Sequence, residues 1–116
     1  LTKAERLQVY NKYGGRCAYC GREIEYKDMQ VDHLVPRRGW YYDPRYIDTS
    51  WIENFDNKMP SCRRCNHYKR AHSLEVFRDL INKLHTKIRD MYLCKVAEDY
   101  GIITVQEWDG KFYFEK

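Results

Sequence analysis

The spacing of apolar and polar residues changes several times along the chain, and each change marks an expected element. Between Thr2 and Tyr13, apolar Leu7, Val9, Tyr10 and Tyr13 stand among charged neighbours. Thr2 followed three residues later by Glu5 reads as a capping box, and Gly14-Gly15 supplies a stop, so a short helix is predicted over about Lys3–Tyr13. From Met29 to Val35 the pattern becomes loosely alternating, with Val31, Leu34 and Val35 as strand formers and Pro36 unable to continue a ladder. A strand ending at Pro36 follows. Arg37 to Phe55 shows no period and is punctuated by Gly39, Pro44, Asp48, Ser50 and Asn54, which reads as loop. A helix is expected to begin at Cys65, leaving Asn66 and Lys69 on one face.

Beyond Ser73, a candidate N-cap, Leu74, Phe77, Leu80, Ile81, Leu84 and Ile88 recur at spacings of three and four and predict a core-facing helical stripe. Helical propensity continues through Met91, Tyr92, Val96 and Ala97 to Gly101, with an interruption expected near His85-Thr86. Ile102–Glu107 and Lys111–Glu115, on either side of Trp108-Asp109-Gly110, read as a β-hairpin turned by Asp-Gly. The whole is an α+β pattern.

At 116 residues the chain is the size of one domain. A domain this small buries a modest core, so a metal or another crosslink is a sensible supplement to hydrophobic burial. There is no run of about 18 apolar residues and no basic-then-apolar leader, which predicts a soluble, unexported, cytoplasmic protein. The five cysteines include two pairs with a two-residue gap, Cys17-Ala18-Tyr19-Cys20 and Cys62-Arg63-Arg64-Cys65. That gap suits tetrahedral zinc in a reducing compartment better than a disulfide framework. The alternative is four unrelated buried thiols. A zinc held by all four thiolates has no open position for water, so the expected metal is structural. Cys94 has no partner at metal spacing and reads as a small buried apolar residue.

Net charge is only +4, from 21 basic and 17 acidic residues, too mild to argue for a nucleic-acid partner by itself. Its distribution says more. Arg63, Arg64, Lys69 and Arg70 fall between Ser61 and His72 with no acid among them, a local positive field. Arg37, Arg38 and Arg45 are interleaved with Trp40, Tyr41, Tyr42, Tyr46 and Trp51. That mixture suits phosphate neutralisation with stacking on bases, and equally a satellite core under a long loop.

Val31-Asp32-His33-Leu34-Val35-Pro36 adds a carboxylate beside an imidazole. Neighbouring strand residues point to opposite faces, so Asp32 and His33 serve one centre only if the strand bends there or the substrate lies between them. Taken in order, Cys17-x2-Cys20, Asp32-His33, Asp56-Asn57 and Cys62-x2-Cys65-Asn66-x2-Lys69 resemble the HNH endonucleases, specifically the small zinc-stapled members found in bacteriophages and bacteria. The resemblance runs from Cys17 to about Arg78 and implies a ββα-metal (His-Me finger) core over about residues 14–72. The C-terminal helices and hairpin of 73–116 then complete a single domain.

Position by position, the resemblance implies that His33 is the general base and Asp32 a ligand of the catalytic divalent metal. It implies that Asn66 is a second ligand and that Asn57 braces the loop and orients the histidine. The last motif position is Asn, an oxygen donor harder than imidazole, so Mg²⁺ or Mn²⁺ is expected at the catalytic site in addition to the structural Zn²⁺. If the helix is rotated, His67 replaces Asn66. DNA is the implied substrate, with Arg37, Arg38, Arg63, Arg64, Lys69 and Arg70 holding its backbone. Some phage relatives act beside the DNA-packaging terminase, which makes terminase a further expected partner. The competing readings are a non-catalytic zinc-ribbon nucleic-acid binder and a packaging accessory module. The first does not require Asp32, His33 and Asn66 together, and the second would dock its aromatic loop on a protein partner.

Overall fold

In the computed structural model, which describes residues 1–37 and 50–116, the chain forms α1 (Lys3–Asn11), β1 (Gln30–His33), β2 (Lys58–Ser61), α2 (Arg63–Lys69), α3 (Leu74–Asn82), α4 (Leu84–Arg89) and α5 (Tyr92–Asp99). Two compact units result, Leu1–Leu74 with Phe112–Lys116, and Glu75–Lys111. Arg38, Arg45 and the aromatic cluster Trp40, Tyr41, Tyr42 and Tyr46 lie outside the described residues.

In the first unit, the Thr2 hydroxyl accepts from the Glu5 amide at 3.1 Å and starts α1 as its spacing predicts. The helix buries Val9 but leaves Leu7 half exposed, so its apolar face is narrow. Long polar side chains do much of the anchoring. Arg6 donates to the carbonyls of Tyr26 and Met29 at 2.9 and 2.8 Å, Tyr10 to that of Ile24 at 2.7 Å, and Lys12 to those of Phe55 and Lys58 at 3.0 and 2.9 Å. Backbone carbonyls of the loops flanking both strands thus find donors, and α1 ties those loops together.

β1 and β2 pair antiparallel in the register Gln30↔Ser61, Val31↔Pro60, Asp32↔Met59 and His33↔Lys58. Met29, Met59, Pro60 and Ser61 are buried. Pro60 has no amide to donate, which a two-stranded ribbon tolerates, and its carbonyl accepts from the Ala18 amide at 2.8 Å. That bond docks the first cysteine turn on β2. The turn is closed by Gly21 at φ +78°, where a Cβ would come within 2.7 Å of the Tyr113 ring. Glycine is therefore required there both for conformation and for space.

α2 begins at Arg63, two residues before the predicted start, because Cys62 is its N-cap: the sulfur accepts from the Cys65 amide at 3.4 Å. It ends at Arg70, whose φ of +54° is a conformation that a non-glycine side chain rarely adopts.

In the second unit the expected helical stretch is divided into α3, α4 and α5, with one break at Lys83, two residues from the interruption expected near His85-Thr86, and a second at Asp90-Met91. Met91 is extended (ψ 128°). Gly101, at φ +70°, terminates α5, and the Ile102 amide returns to the Ala97 carbonyl at 2.9 Å. Cys94 is buried on α5, facing Glu98 in the next turn.

The predicted C-terminal hairpin does not form. Asp109-Gly110 does turn, with Gly110 at φ +83° and the Lys111 amide on the Asp109 carboxylate at 3.0 Å. The strands that should follow are captured elsewhere. Arg78 donates to the Gly110 carbonyl and Arg89 to the Val105 carbonyl, at 2.5 and 2.7 Å. In the first unit, the Tyr113 and Phe114 amides donate to the Tyr19 and Ala18 carbonyls at 3.0 and 2.8 Å. Tyr113–Glu115 closes as a single 3₁₀ turn. Among the described residues, no helix is long and apolar enough to cross a membrane.

Candidate functional site

Two layers meet at the end of the β1–β2 ribbon. The outer layer is sulfur: Cys17, Cys20, Cys62 and Cys65 place their Sγ atoms within 4.8 Å of one another, and Cys20 and Cys62 are 3.9 Å apart. A tetrahedral zinc with Zn–S bonds of about 2.3 Å sets its sulfurs about 3.8 Å apart, so the cluster fits that ion. None of the four is in a disulfide. Crowding makes the thiols compete for charge. Hydrogen bonds from Cys20 and Cys65 pull the Cys17 thiol far below its ordinary value, while those to Cys17 and Cys20, with burial, push Cys65 far above it. A divalent cation among them relieves that conflict, because it favours thiolate at all four positions. The four ligands come from the turn docked on β2 and from the first turn of α2. A zinc there ties these segments together.

The inner layer surrounds Asp32. Its Oδ2 accepts from the Tyr19 hydroxyl at 2.5 Å and pairs with the Lys69 ammonium at 3.1 Å. Burial and the Asp32 carboxylate both push the Tyr19 hydroxyl well above the usual phenol range, so it stays a neutral donor. Lys69 is fully buried and donates also to the His33 carbonyl at 3.1 Å. This corrects one expectation: Lys69 was assigned to DNA-backbone contact, yet its ammonium is turned inward as the counter-ion of Asp32. An unpaired carboxylate at 8% exposure would be costly, and the nearest cation on α2 is drawn in to meet it.

Asp32 and His33, though adjacent on β1, line one open depression of about 470 Å³ together with Val31, Pro36, Arg37, Arg70 and Ala71. His33 is the last residue of the strand, where the chain leaves the ladder and the strict alternation of faces ends. The loop that follows is held by Asn57. The Asn57 side chain accepts from the Val35 amide at 2.9 Å and donates to the Val35 and Ile52 carbonyls at 3.0 and 2.8 Å. Its backbone carbonyl accepts from the Leu34 amide at 2.9 Å. Buried at 5% exposure, Asn57 braces the two residues after His33.

The His33 ring approaches Glu53, with Nε2 3.2 Å from Oε2. Glu53 also takes a two-point contact from Arg37, at 2.6 and 3.1 Å. The Arg37 guanidinium, with a smaller contribution from His33, holds the Glu53 carboxyl down to about 2. Asn66 is partly exposed and shares a face of α2 with buried Lys69, three residues on, whereas His67 is exposed. Arg37, Arg63, Arg64 and Arg70 are exposed, and Arg38 lies outside the described residues.

Tyr19 and Glu53 are the two side chains that sequence reasoning missed. Tyr19 had a weak signal, a hydroxyl-bearing ring between two zinc ligands. Glu53, in a loop far from His33 in sequence, had none.

An antiparallel ribbon carrying Asp-His, followed by a helix whose start belongs to a four-cysteine cluster able to hold a metal ion, defines a ββα domain. Residues 17–72 match the model of the HNH endonuclease family. Over 64 residues, or 55% of the chain, it is 31% identical to the CRISPR-associated endonuclease Cas9 of Corynebacterium diphtheriae, covering 5% of that protein. Over 69 residues, or 58% of the chain, it is 29% identical to the Septu protein PtuB of Bacillus thuringiensis, covering 24% of it. It also resembles the crystal structure of the Type II-C Cas9 enzyme from Actinomyces naeslundii, at 26% identity and a TM-score of 0.49 over 73% of this chain and 9% of that one. The chain thus spans a quarter or less of each of these proteins.

Proposed function

We propose that the chain is a metal-dependent endonuclease that hydrolyses DNA phosphodiester bonds at the depression lined by Asp32 and His33. The observation that carries this reading is the convergence there of a carboxylate, an imidazole and two exposed arginines, Arg37 and Arg70, behind a loop braced by Asn57. His33 takes the proton from the attacking water, a role worth about 10²- to 10⁴-fold in rate. Asn57 keeps the imidazole aimed by holding the turn after it, and Glu53 restrains the ring through Nε2. Arg37, Arg63, Arg64 and Arg70 hold phosphates, with Arg38 as a further candidate, and such contacts position the strand without reading sequence.

Asp32 and Asn66 are the residues that would hold Mg²⁺ or Mn²⁺, and the fit rests on their chemistry. Asp32 Oδ1 has no partner among the described residues, and no buried polar side-chain atom is left unpaired, so that oxygen meets solvent in the depression. Asn66 is preferred to His67 because it stands three residues before Lys69, whose ammonium pairs with Asp32, and so shares that helix face. Asp32 and Asn66 would hold a hard cation through these oxygens, and its chemistry there would be Lewis-acid stabilisation of the phosphate and of the departing 3′-oxygen. Cys17, Cys20, Cys62 and Cys65 hold a structural Zn²⁺. The relatives, a CRISPR-associated endonuclease and a Septu protein, lend no support to a terminase partner, which forms no part of this reading.

Plasmid DNA incubated with the zinc-loaded protein should be cut with Mg²⁺ or Mn²⁺ and left whole with EDTA. His33→Ala should lower the rate by about 10²-fold or more while leaving the fold unchanged. Intact DNA in every lane, from protein shown to be folded, would refute the enzyme and leave the non-catalytic zinc-ribbon reading.

A further inference from the structure

Asp32 has two oxygens in unlike situations. Oδ2 is enclosed by the Tyr19 hydroxyl at 2.5 Å and the Lys69 ammonium at 3.1 Å, whereas Oδ1 has no partner among the described residues and is not a buried unpaired atom, and Asp32 lines the depression. Tyr19 lies between Cys17 and Cys20, in the turn whose carbonyls also receive the Tyr113 and Phe114 amides. Its ring packs edge-on against Phe112 and Phe114, with centroids 5.6 and 6.2 Å away. The hydroxyl is therefore delivered to Asp32 from a rigid support, and rotation of the carboxylate about its own bond would break that contact.

We propose that Tyr19 is a positioning residue for the Asp32 carboxylate, committing Oδ2 to the protein so that Asp32 meets its cation through Oδ1 alone. The inference rests on the assignment of Asp32 as a cation ligand made above. Its consequence is selectivity. Ca²⁺ accepts carboxylates in two-point fashion within a loose shell, whereas Mg²⁺ demands a tight octahedron with single-point ligands. Mn²⁺ shares the octahedral oxygen preference and serves as the probe. A carboxylate held to one oxygen disfavours the larger ion. Because Tyr19 belongs to the cysteine turn, the structural staple also sets which cation the adjacent site prefers.

The test is the affinity of zinc-loaded protein for Mn²⁺ and for Ca²⁺, each titrated alone by calorimetry. Partners that orient a ligand are typically worth 10- to 100-fold in metal affinity, so Tyr19→Phe should narrow the Mn²⁺-over-Ca²⁺ preference about tenfold with one zinc still bound. Phe112→Leu loosens part of the packing around the same ring but keeps the hydroxyl and the Phe114 contact, so it should narrow the preference less than Tyr19→Phe does. An unchanged preference in Tyr19→Phe, or equal narrowing in Phe112→Leu, would overturn the inference.

The parent protein gives an independent reading: the Mn²⁺ infrared difference spectrum should carry the wide carboxylate splitting of one-point ligation. The narrow splitting of two-point ligation would overturn the inference whatever the variants do. Asp32→Ala should abolish Mn²⁺ binding. If it binds like the parent, the cation assignment itself fails. If it is silent while Tyr19→Phe behaves as the parent, the assignment stands and the positioning role falls.

Discussion

Replacing Lys69 by methionine isolates the energetic cost of Asp32. Lys69 is completely buried and its ammonium serves two acceptors, Asp32 Oδ2 and the His33 carbonyl, each at 3.1 Å. Methionine matches the stem closely enough that the volume term is small. What remains is a carboxylate at 8% exposure without its cation, and breaking such a pair from one side costs about 3–5 kcal/mol. For a chain of this length each kcal/mol lowers Tm by about 4 °C, which gives a fall of roughly 12–20 °C. Thermal unfolding followed by near-ultraviolet circular dichroism, in a fixed excess of zinc, measures it. Adding Asp32→Asn removes the stranded charge while Tyr19 keeps an oxygen to donate to, so the double variant should recover part of the loss. A Lys69→Met variant within about 1 kcal/mol of the parent, or a double variant losing the sum of both singles, would refute the counter-ion role.

Two further outcomes follow from the site. Metal analysis should find one zinc per chain, falling to none in the Cys62→Ser, Cys65→Ser double variant, with loss of the folded near-ultraviolet signal; zinc retained there would exclude the four-sulfur site. The Glu53 carboxyl, observed by carbon NMR, should titrate near 2 in the parent and move up toward the ordinary carboxylate range in Arg37→Ala. Its folded value is depressed, so its contribution to stability is complete above the unfolded value of about 4.3 and is lost as pH falls from there through 2. The effect should be small because the pair is exposed. A parent midpoint near 4 would contradict the Arg37 contact.

How much of this was readable depended on the range of the physics involved. Thr2 capping α1 and Gly101 ending α5 were legible because each depends on a few neighbouring residues. The cysteine pairs were legible for a related reason: zinc imposes its own spacing on the chain. Lys69 was misread because a basic residue in a basic cluster looks exposed until the carboxylate it neutralises is known to be buried beneath it. The hairpin failed for a similar reason. Its turn formed locally, but the carbonyls and amides meant for the partner strand went to arginines and to the cysteine turn.

The sequence by itself determined the ligand types, the order in which they occur and the short elements that carry them, since caps, turns and metal spacing are decided within a few residues. Only the tertiary structure decided which oxygen of Asp32 is taken by protein partners, which side chain meets the His33 ring, and that Tyr19 links the four-cysteine cluster to Asp32. Those outcomes turn on competition for buried charge and hydrogen bonds among residues distant in the chain, and burial is a property of the folded molecule.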